Sequence, residues 1–338
     1  MCAVRVGLIG TGFGANVVAP GVRCLDGAEL VAVTSGRLER AQAVASEYGL
    51  GHAYDDYHTM LHEAQLDLVA ITAPPYLHHE MAIAAFEAGA HVLCEKPLAM
   101  NVTEAEAMLA TAERHNRVHA VDHEFRFVPA RRALKRLIDA GEIGEPFLVR
   151  IAQLRGGRPP AEDSWWRDRA RGGGVLQAIG SHFIDAVRLW IGPFAAVQAD
   201  LRSVAMQGAT AEDTASVSFR LQNGVTGSIN LSQGAKGGPN RVEVYGPKGS
   251  LFIEGTMLYR STGGDPEEIA PDDAVDQGRL EDPRLGPFVE LAQRVVDRIN
   301  GKDSGPFPTF ADGLEVQRVM DAIRRSSDER REVAISEI

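Results

Sequence analysis

The residues best suited to chemistry begin at a glycine loop, Gly10-Thr11-Gly12-Phe13-Gly14-Ala15, with the spacing Gly-x-Gly-x-x-Ala. Gly10 permits a tight turn, Gly12 lets backbone approach a pyrophosphate, and Ala15 with Gly14 beside it lets a helix lie close on a strand. Backbone N–H groups at the start of such a helix bind phosphate. A glycine turn alone is a weak signal, and its place after the first strand is what strengthens it. The second strand ends Val31-Ala32-Val33-Thr34-Ser35-Gly36-Arg37. An enzyme using NAD usually carries an acid there, bonding the ribose 2′-hydroxyl. Ser35 stands in that place, and Arg37 and Arg40 follow. A carboxylate repels a 2′-phosphate, whereas a hydroxyl and a guanidinium bind one. The expected cofactor is therefore NADP, with NAD as the other possibility. Further along, Trp165, Trp166, Arg167 and Arg169 precede a glycine run. An aromatic-plus-basic loop suits a carbohydrate, whose C–H faces stack on indole, although either tryptophan would equally serve as core. Asp122, His123, Glu124 and Arg126 form a polar cluster at the expected domain junction.

The elements that must position these residues alternate in the first half. Val4–Ile9, Glu29–Thr34, Leu66–Thr72, His91–Cys94 and Val118–Val121 are short apolar runs bounded by turn signals, as buried parallel strands are. Helical patterns lie between them at Leu38–Tyr48, His79–Glu87 and Thr103–His115, the last with a Thr103/Glu106 capping box. This alternation predicts a doubly wound parallel sheet of Rossmann type. The second half reads as long strands at Pro146–Leu154, Ala196–Val204, Thr214–Leu221, Gly224–Ser232 and Arg241–Tyr245, with a hairpin turn at Asn223-Gly224. Helices are expected at Ser181–Ile191, Pro287–Asn300 and Phe310–Ser327, and a surface loop at Gly263–Arg279. The fold class is α/β, an N-terminal Rossmann domain over 1–122 and an α/β domain with a large, mostly antiparallel sheet over 123–338.

Bulk properties narrow the partners. Net charge is -11 and the pI about 5.4. Phosphate-backbone binding needs a basic surface, so nucleic acid is not expected, and the Arg131-Arg132, Lys135-Arg136 cluster reads as a solvated helix face. The three cysteines, Cys2, Cys24 and Cys94, match no zinc spacing and cannot all pair, which favours a reducing compartment. No metal site is expected. The chain runs straight into a strand with neither a signal peptide nor a long apolar span, so a cytoplasmic protein without membrane contact is expected.

Several segments, in order, resemble the Gfo/Idh/MocA family, named for glucose–fructose oxidoreductase and inositol dehydrogenase. After the glycine loop comes Thr72-Ala73-Pro74-Pro75-Tyr76-Leu77-His78-His79-Glu80, similar to the family's Thr-x-Pro-Asn-x-x-His-x-Glu with Pro75 in place of Asn. Ala88–Ala99, containing Glu95-Lys96-Pro97, resembles its most recognisable stretch. Arg126 lies in a segment like its Arg-Phe-x-Pro, and Gly172–Asp185 resembles its second-domain motif. Phe310 to Ser327 is similar to its C-terminal helix.

The resemblance implies a Rossmann domain followed by a domain whose open sheet face joins subunits, hence a homodimer or homotetramer. It implies that Thr72, Pro74, His78, Glu95 and Lys96 lie along the cofactor, and that Lys96–Pro97 is a cis bond. Lys96 then becomes the group that takes or gives the hydroxyl proton during hydride transfer, since a desolvated amine beside a cationic ring moves protons near neutral pH. His182 helps to bind or polarise the reacting oxygen, and Arg126 and Trp165 join Lys96 and His182 around the substrate. Many sugar and inositol dehydrogenases of the family have Asp four residues before this histidine, where this chain has Ala178. Either Lys96 and His182 suffice or another group, such as Glu124, substitutes. The expected activity is an NAD(P)-dependent oxidoreductase acting on a sugar, cyclitol or related hydroxy or keto compound. The alternatives are a cofactor-binding sensor without turnover and a reductase of a non-sugar such as a tetrapyrrole or an imine.

Overall fold

In a computed structural model, residues 3–157, 160–271 and 282–338 are described. They form two compact units, each discontinuous in sequence: one within Met1–Phe127 and Val275–Leu314, the other within Val128–Ala274 and Glu315–Ile338. The chain passes from the first unit to the second after Phe127 and returns to the first over Val275–Leu314. The helix Leu285–Ile299 belongs with the first unit, because Phe288, Leu291, Val295 and Val296 bury themselves with Val17, Val18 and Val22.

The first unit holds strands β1 (Val4–Ile9), β2 (Ala28–Thr34), β3 (His52–Tyr54), β4 (Leu68–Ile71), β5 (His91–Cys94) and β6 (His119–Val121) in the order β3-β2-β1-β4-β5-β6, all parallel. Successive side chains in a strand point to opposite faces, and both faces are covered. Leu68, Ala70 and Leu93 enter one apolar cluster, while Val69, Ile71, Val92 and Cys94 enter the other. The apolar runs of the sequence are continuous for this reason. Strand β3 and the helix Tyr57–Glu63 were not legible as runs, since three residues, His-Ala-Tyr, carry no period. The helix Val102–Arg114 is capped by Asn101, whose side chain accepts from Glu104 N at 2.9 Å, and the Glu104 carboxylate in turn accepts from Met100 N at 3.0 Å. The cap thus sits two residues before the expected Thr103/Glu106 box.

The second unit is built on strands β7 (Leu148–Leu154), β8 (Phe194–Arg202), β9 (Thr214–Leu221), β10 (Thr226–Ser232), β11 (Asn240–Gly246), β12 (Gly249–Glu254), β13 (Met257–Ser261), β14 (Glu267–Ile269) and β15 (Val333–Ala334). Their order is β14-β13-β12-β11-β7-β10-β9-β8-β15, and only β7 and β10 pair in parallel. Alternate residues separate the two faces. Ala215, Val217, Phe219 and Leu221 of β9 pack into a core with the helices Pro129–Asp139, Ser181–Trp190 and Phe310–Glu329, whereas Ser216, Ser218 and Arg220 are exposed. Strand β14 occupies part of the stretch expected as a loop over Gly263–Arg279, and the end of that stretch lies outside the described residues.

Candidate active site

The first unit presents its chemistry at the carboxyl ends of β1, β2, β4, β5 and β6, where open α/β sheets bind ligands. The glycine loop follows β1. Gly10 adopts φ +102°, and a Cβ there would strike Thr72 Oγ1 and the Thr72 backbone. Thr72, just after β4, closes this contact by donating to the carbonyls of Ile9 at 2.9 Å and Gly10 at 3.1 Å. Gly14 is packed as tightly, with Thr72 Oγ1 at 2.6 Å and Leu8 Cδ1 at 2.9 Å from the position of a Cβ. The close helix-on-strand approach expected of Ala15 is thus made by Gly14. Gly12 differs, because nothing lies within 4 Å of where its Cβ would be. From Gly14 the chain makes a π-helical turn to Val18, closed by Ala19 N donating to Gly14 O, and no side chain caps its start. π-Turns inside helices recur at functional sites. An open glycine before uncapped N–H groups is the cradle a pyrophosphate needs, so these residues fit a dinucleotide. At the end of β2, Ser35 accepts from Thr11 Oγ1 at 3.2 Å and from Arg37 N at 3.4 Å. Arg37 and Arg40 are exposed.

Lys96 follows β5, and its bond to Pro97 is cis. Glu95 accepts from Lys96 N at 3.1 Å. His78 opens the helix His78–Glu87. It is buried, and its ring nitrogens meet the carbonyls of Pro97 at 2.9 Å and Ala73 at 2.8 Å. Burial pushes its pKa down, against the pull of those carbonyls upward. It ties the Thr72–Pro74 turn to the Lys96–Pro97 turn. Pro74 stands half-buried at the start of a short 3₁₀ turn. Asp122, His123 and Glu124 are all buried at the end of β6. Arg126 is engaged by Asp312 at 2.9 Å, its side chain 13% exposed. Burial would raise the Asp312 carboxyl, but Arg126 and the hydrogen bonds from Thr309 hold it below the usual range. Arg126 is therefore held by a carboxylate of its own unit.

The second unit carries the other motif. Gly172 and Gly174 have φ +81° and +108°. A Cβ on Gly173 would meet the Trp166 carbonyl, and one on Gly174 the Glu212 carboxylate. Glu212 accepts from Leu176 N at 3.0 Å, and its own carbonyl accepts from Val175 N at 2.9 Å. Burial raises its pKa, partly offset by those backbone bonds and by Arg324. Glu212 therefore shapes the turn that leads to His182, and it has no local signal in the sequence. A π-turn over Leu176–Gly180, closed by Ser181 N to Leu176 O, then delivers His182 onto the helix Ser181–Trp190, where it is 3% exposed. Ala178 is buried in this turn beside Gln177. Trp165 and Trp166 are half-buried and tilt against one another, ring centres 5.0 Å apart. Among the described residues no group of three metal-ligating side chains converges, and no helix is long and apolar enough to cross a membrane.

Two family models match the chain. "Oxidoreductase family, NAD-binding Rossmann fold" covers residues 4–123, and "GFO/IDH/MocA C-terminal domain" covers residues 131–252. An uncharacterised oxidoreductase of Synechocystis sp. is 33% identical, with 99% of this chain and 97% of that protein covered. The chain belongs to the Gfo/Idh/MocA family. It is an NAD-binding oxidoreductase of that family. The 1,5-anhydro-D-fructose reductase of Ensifer adhaerens is 32% identical over 77% of this chain and 78% of its own. Among solved structures, a levoglucosan dehydrogenase in complex with NADH and levoglucosan superposes with a TM-score of 0.85 at 26% identity, covering 98% of this chain and 99% of that one.

Proposed function

We propose that this protein oxidises or reduces a hydroxyl-bearing carbon of a sugar or cyclitol, with Lys96 moving the hydroxyl proton and NADP as the preferred cofactor. The observation that carries the reading is Lys96 itself, which leaves the end of β5 in the sheet that also holds the open glycine cradle. Similarity to a 1,5-anhydro-D-fructose reductase, a levoglucosan dehydrogenase and a myo-inositol 2-dehydrogenase supports the substrate class. The bound nicotinamide supplies the hydride acceptor or donor. Lys96 takes the hydroxyl proton in oxidation and returns it in reduction, and His182 binds the reacting oxygen. Trp165 offers a flat apolar face to sugar C–H groups. The exposed polar face of the second sheet joins two or four copies.

The preference for NADP rests on Ser35, which puts a hydroxyl where a carboxylate would repel a 2′-phosphate, and on the exposed Arg37 and Arg40 beside it. Fluorescence titration with NADPH and NADH, followed by a polyol and ketosugar screen with the better binder, tests both parts. Tighter NADPH binding is expected, and Lys96→Met is expected to lower turnover at least about a thousandfold, within the range of general acid–base contributions. Tighter NADH binding overturns the cofactor reading. Ala178 favours one other reading, a cofactor-binding protein without turnover, and binding with no turnover on any carbonyl compound would support it.

A further inference from the structure

Strands β5 and β6 run parallel with Cys94 opposite Val121, so the next residue of each, Glu95 and Asp122, emerge side by side. The backbone confirms the pairing, as Asp122 N donates to Cys94 O at 2.7 Å. Both side chains are buried, Glu95 at 9% and Asp122 at 1% exposure. Neighbouring positions at the ends of adjacent parallel strands carry their side chains to the same buried ground, so the two carboxyl groups are neighbours. Among the described residues no N–H or O–H reaches Glu95 Oε1 or either oxygen of Asp122. Two carboxylates have four acceptor oxygens and no donor between them, and two adjacent buried charges of one sign repel strongly. We infer that Glu95 and Asp122 share a single proton and act as one singly charged acid–carboxylate pair beside Lys96.

The surroundings agree with this assignment. Burial, then Glu95, then Glu124 drive the Asp122 carboxyl well above the usual range. Burial raises Glu95 as well, opposed first by Lys96, then by Asp122 and by Arg284. The Cys94 thiol on β5 is pushed up by burial and by both acids. The charged or titratable groups around the pair are thus Cys94, Lys96 and Glu95 from β5, Asp122, His123 and Glu124 from β6, and Arg284, itself tied to Asp282, from the start of the helix Leu285–Ile299. The pair adds one negative charge to this site instead of two. Its value to catalysis rests on the role given to Lys96 above, since the shared proton sets the field in which that amine works. The pair supplies acid–base groups at the ends of the Rossmann unit's own strands.

Infrared spectroscopy of the full-length protein without cofactor tests the proton directly. At neutral pH a C=O stretch of a neutral carboxylic acid is expected, bleaching as the pH rises, and absent in both Asp122→Asn and Glu95→Gln. Stability supplies a second readout. An acid whose folded pKa is raised destabilises the fold increasingly as the pH climbs from its unfolded value towards its folded one. Asp122→Asn places an amide donor beside Glu95 and removes that loss. Its melting temperature should therefore rise relative to the native protein by a few degrees as the pH climbs above the ordinary carboxylate range, since ~1 kcal/mol shifts a protein of this size by a few degrees. Absence of the band in the native protein, its persistence in both variants, or melting curves that stay parallel with pH each overturn the proposal, as does a melting temperature that falls on adding a chelator. None of these uses turnover. An active Lys96→Met enzyme would remove the catalytic reading and leave the shared proton standing.

Discussion

At the scale of single residues, the glycine loop separates two roles that its spacing presents as one. Gly12 faces open space, and Gly14 is wedged against Leu8 and Thr72. Gly12→Ala should leave the melting temperature unchanged while weakening NADPH at least about tenfold, or ~1.4 kcal/mol, because the added methyl occupies the approach of the pyrophosphate. Gly14→Ala should do the reverse first, costing about 1–3 kcal/mol of stability through overpacking. Thermal melts with cofactor titration on both variants check the pair, and equal effects of the two would refute the distinction. The glycine turn could be read from its own spacing, and Lys96 and His182 could be singled out through the family segments they sit in. The nearness of Asp122 to Glu95, the part played by Glu212 and the ring contacts of His78 could not. Their meaning comes from a neighbour brought close by folding: Glu95 across the β5–β6 register, the Gly174 turn 38 positions away in sequence, and two carbonyls on separate turns.

At the scale of elements, apolar runs identified five of the six parallel strands, since a strand covered on both faces is apolar along most of its length. The three-residue β3 escaped because it joins the sheet edge through register with β2, Ala32 against His52, and not through its own composition. Helix ends were less legible than helix bodies. A Thr-x-x-Glu pattern fits Thr103 and Glu106, but Asn101 and Glu104 form the cap. Asn101→Ala should cost about 1 kcal/mol in denaturant unfolding, the usual worth of a side-chain cap, whereas Thr103→Ala should be near neutral. A larger loss from Thr103→Ala would restore the later start. The π-turn at Leu176–Gly180 had no sequence signal at all, although it sets which face of the following helix carries His182.

At the scale of the molecule, the second sheet buries one face and leaves Arg150, Ser216, Ser218 and Arg220 in solvent on the other. Light scattering at micromolar concentration should give two or four times the 36.4 kDa chain mass, and a single-chain mass would refute the proposed assembly. The order of the chain through its two units has a different consequence, for inheritance. The helix Leu285–Ile299 fills the first unit's core against Val17, Val18, Val22 and Gly21, yet it is encoded after nearly all of the second unit. A fragment ending at Phe127 would expose that apolar groove and aggregate. Related genes that exchange halves at one crossover near residue 127 would pair each helix with a foreign groove. Exchange that preserves both cores must cut near residues 127, 275 and 314 together, so cofactor and substrate specificities in such chains are expected to travel as one inherited block.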